Sequence, residues 1–181
     1  MLEGKTVNLR IVEKEDRQTL LEWINNPEVM GEFQPPRQWS RAELEKEYET
    51  DLFGFKDFFI EKKDGSGIGF ISYYDSYLGT IKLLEIGYCS LPSERGKGYC
   101  TEAAQLMVEY LFLSMDVSRV QASVNIGNKA SQRVLEKAGF TREGTIRRTA
   151  RGERRDFYLY SILREEWKEP KILTKTTEKK E

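Results

Sequence analysis

The sequence predicts an α/β (α+β) fold, a mixed central sheet of about seven strands flanked by about four helices. Three observations predict it. Strand-like and helix-like stretches interleave in the order strand, helix, helix, hairpin, strand, helix, strand, helix, hairpin. In the middle of that order an apolar run over residues 83–91 leads into Gly96 and Gly98, and a helical run with an apolar face leaves them. Finally, two pairs of alternating runs are joined by turn residues, at 64–67 and at 151–153.

The elements follow in order. Val7, Leu9 and Ile11 alternate with polar neighbours, so residues 5–12 read as a strand. Glu15 and Asp16 open a helix carrying Leu20, Leu21, Trp23 and Ile24, and Asn26-Pro27 ends it, because the residue before a proline is pushed out of helical conformations. Residues 30–39, with Pro35-Pro36, form a loop. Ser40 followed by Glu43 is a capping box that starts an acidic helix running to residue 50, whose charges at 43, 45, 47 and 49 spread around it as on a solvated surface. Residues 57–62 and 68–75 pair as a hairpin. Gly65, Gly67 and Gly69 belong to that turn and are no phosphate loop, since no helix follows them.

Residues 83–91 form the central strand and 97–114 a helix with Ala103, Met107, Tyr110 and Leu111 on one apolar face. Residues 119–124 are a strand. Residues 128–138 are a helix with Ala130, Val134, Leu135 and Ala138 inward, closed by Gly139. Residues 141–149 and 157–163 are the last two strands. From residue 168 the chain is rich in Lys, Glu and Thr, so one domain over 1–167 is followed by a charged, disordered tail over 168–181.

Composition narrows the function classes. The net charge of -1 argues against generic nucleic-acid or specific DNA binding. No apolar stretch approaches the ~18 residues of a membrane span, and the opening Met1-Leu2-Glu3-Gly4-Lys5 is no signal peptide, so no membrane association and a cytoplasmic location are expected. Cys89 and Cys100 do not make a disulfide framework. The chain has no histidine, which removes Ser-His-Asp and Cys-His chemistry and histidine-containing zinc sites, and no metal is expected. Acid–base work falls to carboxylates, hydroxyls, tyrosines, lysines, thiols or water.

Chemistry concentrates at the glycine turn. Gly96 and Gly98 let the backbone turn tightly and come close to a ligand. The helix that follows aims unpaired N–H groups and its positive dipole end at the turn, a site for phosphate oxygens. The dinucleotide fingerprint would need glycine where Thr101 stands. The nucleotide-triphosphate loop would need glycine at Leu91 and a hydroxyl at Gly98. Arg95-Gly96-Lys97-Gly98-Tyr99-Cys100-Thr101-Glu102-Ala103 resembles the coenzyme A pyrophosphate loop of the GCN5-related N-acetyltransferases, Gln/Arg-x-x-Gly-x-Gly/Ala, with Ser93 in the Gln/Arg slot. A second segment, Asn125-x-x-Asn128-x-x-Ser131-x4-Glu136-Lys137-Ala138-Gly139-Phe140, is similar to that superfamily's ribosomal-protein alanine N-acetyltransferase branch. So are Leu9-Arg10 with Asp16, and Asp156 with Tyr160-Ser161-Ile162-Leu163.

The resemblance implies the acyl-CoA N-acyltransferase fold over roughly residues 5–165, acetyl-CoA as cosubstrate, and direct attack by a primary amine in a ternary complex. It implies pyrophosphate binding by the backbone of Arg95, Gly96, Lys97, Gly98 and Tyr99, with charge from Arg95 and Lys97. Asn125 and Asn128 would contact the pantetheine arm, Asn128 also serving as helix cap. N–H groups near Ser90 and Leu91 would face the developing oxyanion. Ser131 would serve the leaving sulfur. Glu85, on the central strand, is either a solvent-facing residue or the base that takes the amine's proton, directly or through water. Cys100, at a helix N-terminus, is a candidate for a lowered pKa.

The acceptor is the least legible part. The branch implies a protein N-terminal α-amine. A polyamine, an aminoglycoside or an amino-acid derivative is the alternative, and a non-catalytic acyl-CoA-binding module is the alternative of another class. Glu43, Glu45, Glu47, Glu49 and Asp51 could draw an amine, and Phe33, Pro35, Pro36 and Trp39 border the acceptor region of such a fold. The last hairpin, with Arg147, Arg148, Arg151, Arg154 and Arg155, is either a solvated face or an RNA contact. A homodimer is compatible with the resemblance.

Overall fold

A computed structural model describes residues 1–34, 36–51, 54–147, 149–150 and 153–167, with the backbone alone at Leu78, Thr149, Ala150, Glu153 and Arg154. The expected tail over 168–181, Pro35, and Arg148, Arg151 and Gly152 of the basic hairpin lie outside the described residues.

The strands are β1 (Leu2–Glu3), β2 (Val7–Ile11), β3 (Lys56–Lys62), β4 (Gly67–Leu78), β5 (Ile81–Ser90), β6 (Arg119–Asn125), β7 (Thr141–Ile146), β8 (Thr149–Ala150), β9 (Glu153–Arg154) and β10 (Phe157–Leu163). The helices are α1 (Arg17–Asn25), α2 (Pro27–Met30), α3 (Arg41–Thr50), α4 (Tyr99–Ser114) and α5 (Lys129–Ala138). Eight strands form one mixed sheet in the order β1-β2-β3-β4-β5-β6-β10-β7, and β8 pairs with β9 as a small separate ladder.

Several short elements were not expected, and the strand expected over 141–149 ends at Ile146, with Thr149–Ala150 paired instead to Glu153–Arg154. Asn26-Pro27 ends α1 but also starts α2, because proline is tolerated at the first helical position and the Asn26 side chain accepts the Glu28 N–H at 2.9 Å. The two-residue β1 lies antiparallel on β2. The capping box at Ser40 and Glu43 forms as read, with both reciprocal hydrogen bonds.

The sheet has two covered faces. Alternate residues of β2, β3, β4 and β5 (Val7, Leu9, Phe58, Ile60, Ile71, Leu84, Ile86) pack with α4 and α5 into the larger core. Phe59, Phe70 and Cys89 point to the other face and pack with Leu20, Leu21, Ile24, Val29 and Leu44 of α1 to α3. Helix α4 departs from the single apolar face expected for it: Ala103, Ala104, Leu106, Met107, Val108, Leu111 and Phe112 are all buried, so it is enclosed on most sides. In α5, Ala130 is exposed rather than inward, and Gln132 is buried instead. The Gln132 amide is satisfied there, donating to the carbonyls of Ile126 at 2.9 Å and Asn125 at 3.3 Å.

One feature of the sheet positions the site. β5 pairs with β4 along its whole length, from Ile81 to Ser90. Its parallel pairing with β6 is confined to Leu84–Val120 and Glu85–Gln121. Beyond that point β6 stays with β10 as far as Asn125, so the second half of β5 and the second half of β6 part and leave a wedge between them. A bulge in β4 at Ile68, next to Gly69, interrupts the β3–β4 register and adds local twist where β4 meets the end of β5. A side chain at Gly69 would collide with the Cys89 carbonyl, so the close approach of β4 to β5 requires glycine there.

Candidate active site

The wedge opens toward the glycine turn. After β5 the Leu91 N–H donates to the Ile68 carbonyl at 2.9 Å, which pins the chain to the bulge. A 3-10 turn over Pro92–Glu94 follows, and then Gly96 and Gly98 at φ 77° and 88°, in the left-handed region that favours glycine. A Cβ at either glycine would meet open space. Among the described residues the N–H groups of Gly96, Lys97, Gly98 and Tyr99 have no recorded partner, and they sit at the N-terminus of the 16-residue α4. This is an empty-sided backbone cradle with the positive end of a long helix beneath it, and the residues fit a pyrophosphate.

The charged side chains at this turn are used differently from expectation. The Arg95 guanidinium donates to three carbonyls, Val29 at 2.7 Å, Glu28 at 2.9 Å and Ser90 at 3.3 Å, so it ties the cradle to α2. Lys97 Nζ sits 3.0 Å from Glu94 and is exposed. The pinned Leu91 N–H is spent within the sheet. Cys100 departs from the expected low pKa: burial pushes its thiol up against the lowering effects of Ser90 and Arg95, and burial also pushes the strand thiol of Cys89 up to about 11.

Across the wedge, β6 and α5 supply the remaining expected residues. Asn128 caps α5, its Oδ1 accepting the Ser131 N–H at 3.0 Å. Asn125 Oδ1 accepts the Gly127 N–H at 2.9 Å. Ser131 Oγ lies 2.8 Å from the Tyr88 hydroxyl, which also donates to the Ser131 carbonyl at 3.2 Å. Tyr88 was not singled out in the sequence. It shares the parity of Ile86 on β5, which puts it on the α4–α5 face where its hydroxyl meets Ser131, and burial holds its phenol protonated. Glu85 sits at the last paired position of β5 and β6, accepting from Gln121 at 3.0 Å and from Ser76 at 3.4 Å. It is half-buried and is not part of the pocket described next.

On the opposite face of the sheet a cavity of about 140 Å³ runs from α1 and α3 to Gly87 and Tyr88. Its walls are aromatic: Trp39, Tyr48, Phe55 and Tyr74. Two carboxylates line it, Glu47 and Asp57. Asp57 accepts from the Tyr48 hydroxyl at 2.5 Å and from the Ser72 hydroxyl. Burial, and then the Asp57 charge, push the Tyr48 phenol up, so it remains a donor. Ser72 stands opposite Gly87 in the β4–β5 register, which puts the Asp57 cluster at the inner end of the cavity. Of the acidic residues expected on α3, only Glu47 lines the cavity. Glu43 is spent on the cap, Glu45 on Arg17 and Arg41, and Asp51 on Lys56. The loop before α3 reaches farther than expected, since a Cβ at Gly127, beside α5, would lie 2.8 Å from the Phe33 ring.

A backbone cradle at a strand–helix turn, a parted pair of parallel strands, and a lined cavity ending where they part make one continuous site. The family model for an acetyltransferase (GNAT) domain matches residues 6–141. The chain belongs to the GNAT acetyltransferase family. The ribosomal-protein branch within it is a resemblance only.

Three similar proteins illustrate the range. The chain is 34% identical over 125 residues to a probable N-acetyltransferase, YjcK, of Bacillus subtilis strain 168, covering 68% of this chain. It spans 65% of YjcK, less than two thirds of that protein's length. It is 26% identical over 162 residues to the aminoglycoside N(6')-acetyltransferase type 1 of Klebsiella pneumoniae, covering 78% of this chain and 77% of that one. A solved GNAT-family acetyltransferase from Bacillus anthracis superposes with a TM-score of 0.75 at 28% identity, over 91% of this chain and 98% of that one. Among the described residues of this GNAT chain, no helix is long and apolar enough to cross a membrane.

Proposed function

We propose that this GNAT protein transfers the acetyl group of acetyl-CoA to the primary amine of a small molecule. The observation that carries the reading is the cavity that ends at Gly87 and Tyr88 with a hydroxyl-bound carboxylate at its inner end. Apolar and aromatic walls around one hydroxyl-bound carboxylate suit a small amine. The aminoglycoside enzyme of Klebsiella, by its name, acetylates a small amine too.

In this reading acetyl-CoA supplies the acetyl group, its pyrophosphate held by the N–H groups of Gly96, Lys97, Gly98 and Tyr99, with Asn125, Asn128 and Ser131 along the wedge. The acceptor's ammonium is drawn to Asp57 and loses its surplus proton through the Ser72 hydroxyl to that carboxylate. One N–C bond forms and one C–S bond breaks; of the two protons the ammonium nitrogen loses, one leaves through Asp57 to solvent and the other is balanced by the proton the thiolate takes up. The bonded Tyr88–Ser131 hydroxyl pair is the donor for the departing sulfur. Glu85, behind the wedge, supports the strand junction.

Thiol release from acetyl-CoA, measured against spermidine, an aminoglycoside, free amino acids and Ala- or Ser-starting peptides, tests the proposal. Release with a small amine supports it. Release with peptides alone assigns the protein N-terminal acceptor instead, and bound acetyl-CoA with no release assigns a binding module. The donor pair has its own signature. Tyr88→Phe and Ser131→Ala are each expected to lower kcat about tenfold with acetyl-CoA affinity unchanged, and the double variant to fall no further than either single, because the two hydroxyls act as a unit. Unchanged kcat in both singles would remove the pair from the mechanism.

A further inference from the structure

The outer end of the cavity carries the opposite charge from its inner end. Arg37 lines the mouth and is exposed. Its guanidinium lies 4.6 Å from the Trp39 ring centroid and 5.8 Å from that of Phe55. Among the described residues it has no carboxylate partner, although Glu47 and Asp57 line the same cavity. Its charge still reaches inward, where it works against the rise in the Tyr48 pKa. Stacked on two rings, the guanidinium keeps its in-plane N–H donors free for an anion.

The segment that presents Arg37 is built rather than loose. The Arg37 N–H donates to the Ile24 carbonyl at 3.1 Å. Asn25 clamps the Trp39 backbone from both sides, accepting its N–H at 2.9 Å and donating to its carbonyl at 2.7 Å. Between them Gln38 is held at φ 57°, a left-handed conformation that a non-glycine residue adopts at a cost. That cost fixes Arg37 and Trp39 side by side over the opening.

We propose that the acceptor carries a carboxylate as well as its amine: a free amino acid with an apolar side chain, its amine toward Asp57 and its carboxylate on Arg37. The inference rests on the acetyl-transfer reading. Between the two charged ends the walls are Leu20, Ile24, Leu44 and Phe70, which suit an apolar side chain. A polyamine would bring a second cation to Arg37, and a peptide N-terminus has an amide where the carboxylate should be, so both lose the outer contact.

The test compares L-leucine and L-phenylalanine with leucinamide and phenylalaninamide, with spermidine alongside, by initial rates of thiol release at saturating acetyl-CoA. The amide's amine is the less basic, so without an Arg37 contact the amide would react faster. The expected result is a kcat/KM for the acids about tenfold or more above the amides, expressed in KM. Arg37→Gln should erase that ratio and Arg37→Lys should restore part of it, with thermal midpoints unchanged. Amides equal to or better than acids in the wild-type protein would overturn the proposal, as would a ratio untouched by Arg37→Gln. Turnover of spermidine without turnover of amino acids would sink this proposal and leave acetyl transfer standing. Bound acetyl-CoA with no acceptor turned over would sink both.

Discussion

Gly98→Val is expected to raise the Kd for acetyl-CoA more than 100-fold while the protein remains folded, an effect of roughly 3 kcal/mol or more. The residue stands at φ 88°, and a Cβ there meets no protein atom within 4 Å. The branched side chain therefore does not clash with the fold. It occupies the open side of the cradle and pulls the backbone out of the left-handed conformation that aims the N–H groups of Gly96 to Tyr99 outward. Gly98→Ala, with the backbone cost and little of the bulk, should fall between. Titration calorimetry gives the affinity and a melting curve the fold. Wild-type affinity in a folded Gly98→Val protein would mean that the coenzyme is held elsewhere.

Asp57→Asn is expected to lower kcat/KM about 100-fold, within the range for loss of a general base. Asparagine keeps the shape, with its oxygen accepting from one of the two hydroxyls and its NH2 donating to the other once that hydroxyl rotates, so the change chiefly removes the charge. Glu85→Gln is the contrast, expected to cost less than about threefold, since Glu85 already accepts from Gln121 and Ser76 at the strand junction. Steady-state rates with saturating acetyl-CoA decide between them. A collapse in Glu85→Gln with Asp57→Asn near wild type would return the proton-accepting role to Glu85.

The contrast between those two carboxylates measures what the sequence made legible. Glu85 drew notice because it interrupts an apolar run on the central strand. Asp57 opens a strand and reads as a boundary residue. Yet it shares the parity of Phe59, which is buried on the α1–α3 face, and an acid at an inward position of a half-buried strand was the available signal. Tyr88 carried the same parity signal but was masked by other tyrosines. The glycine turn, the capped α3 and α5, and the β3–β4 hairpin were legible because each depends on local backbone chemistry, whereas the first strand of the last hairpin ends at Ile146, short of the expected residue 149. The arginines were not. Arg95 looked like an anion ligand and spends its guanidinium on three carbonyls, whereas Arg37, not singled out in the sequence, keeps its guanidinium on aromatic rings. A charged side chain's partner depends on tertiary contacts that spacing does not encode. Cys100 follows the same rule, its helix terminus legible and its burial not.

The divided sheet also separates inheritance. Every residue lining the cavity falls between Leu20 and Tyr88, while the cradle and the Asn125–Ser131 side of the wedge fall after it. Under the proposed function, substitutions that reshape the acceptor end in α1, the loop before α3, or β3 need not touch the segment that would hold the coenzyme. Tyr88, Arg95 and Gln121 are among the side chains that cross from one half into the other, and there a change on one side is felt on both.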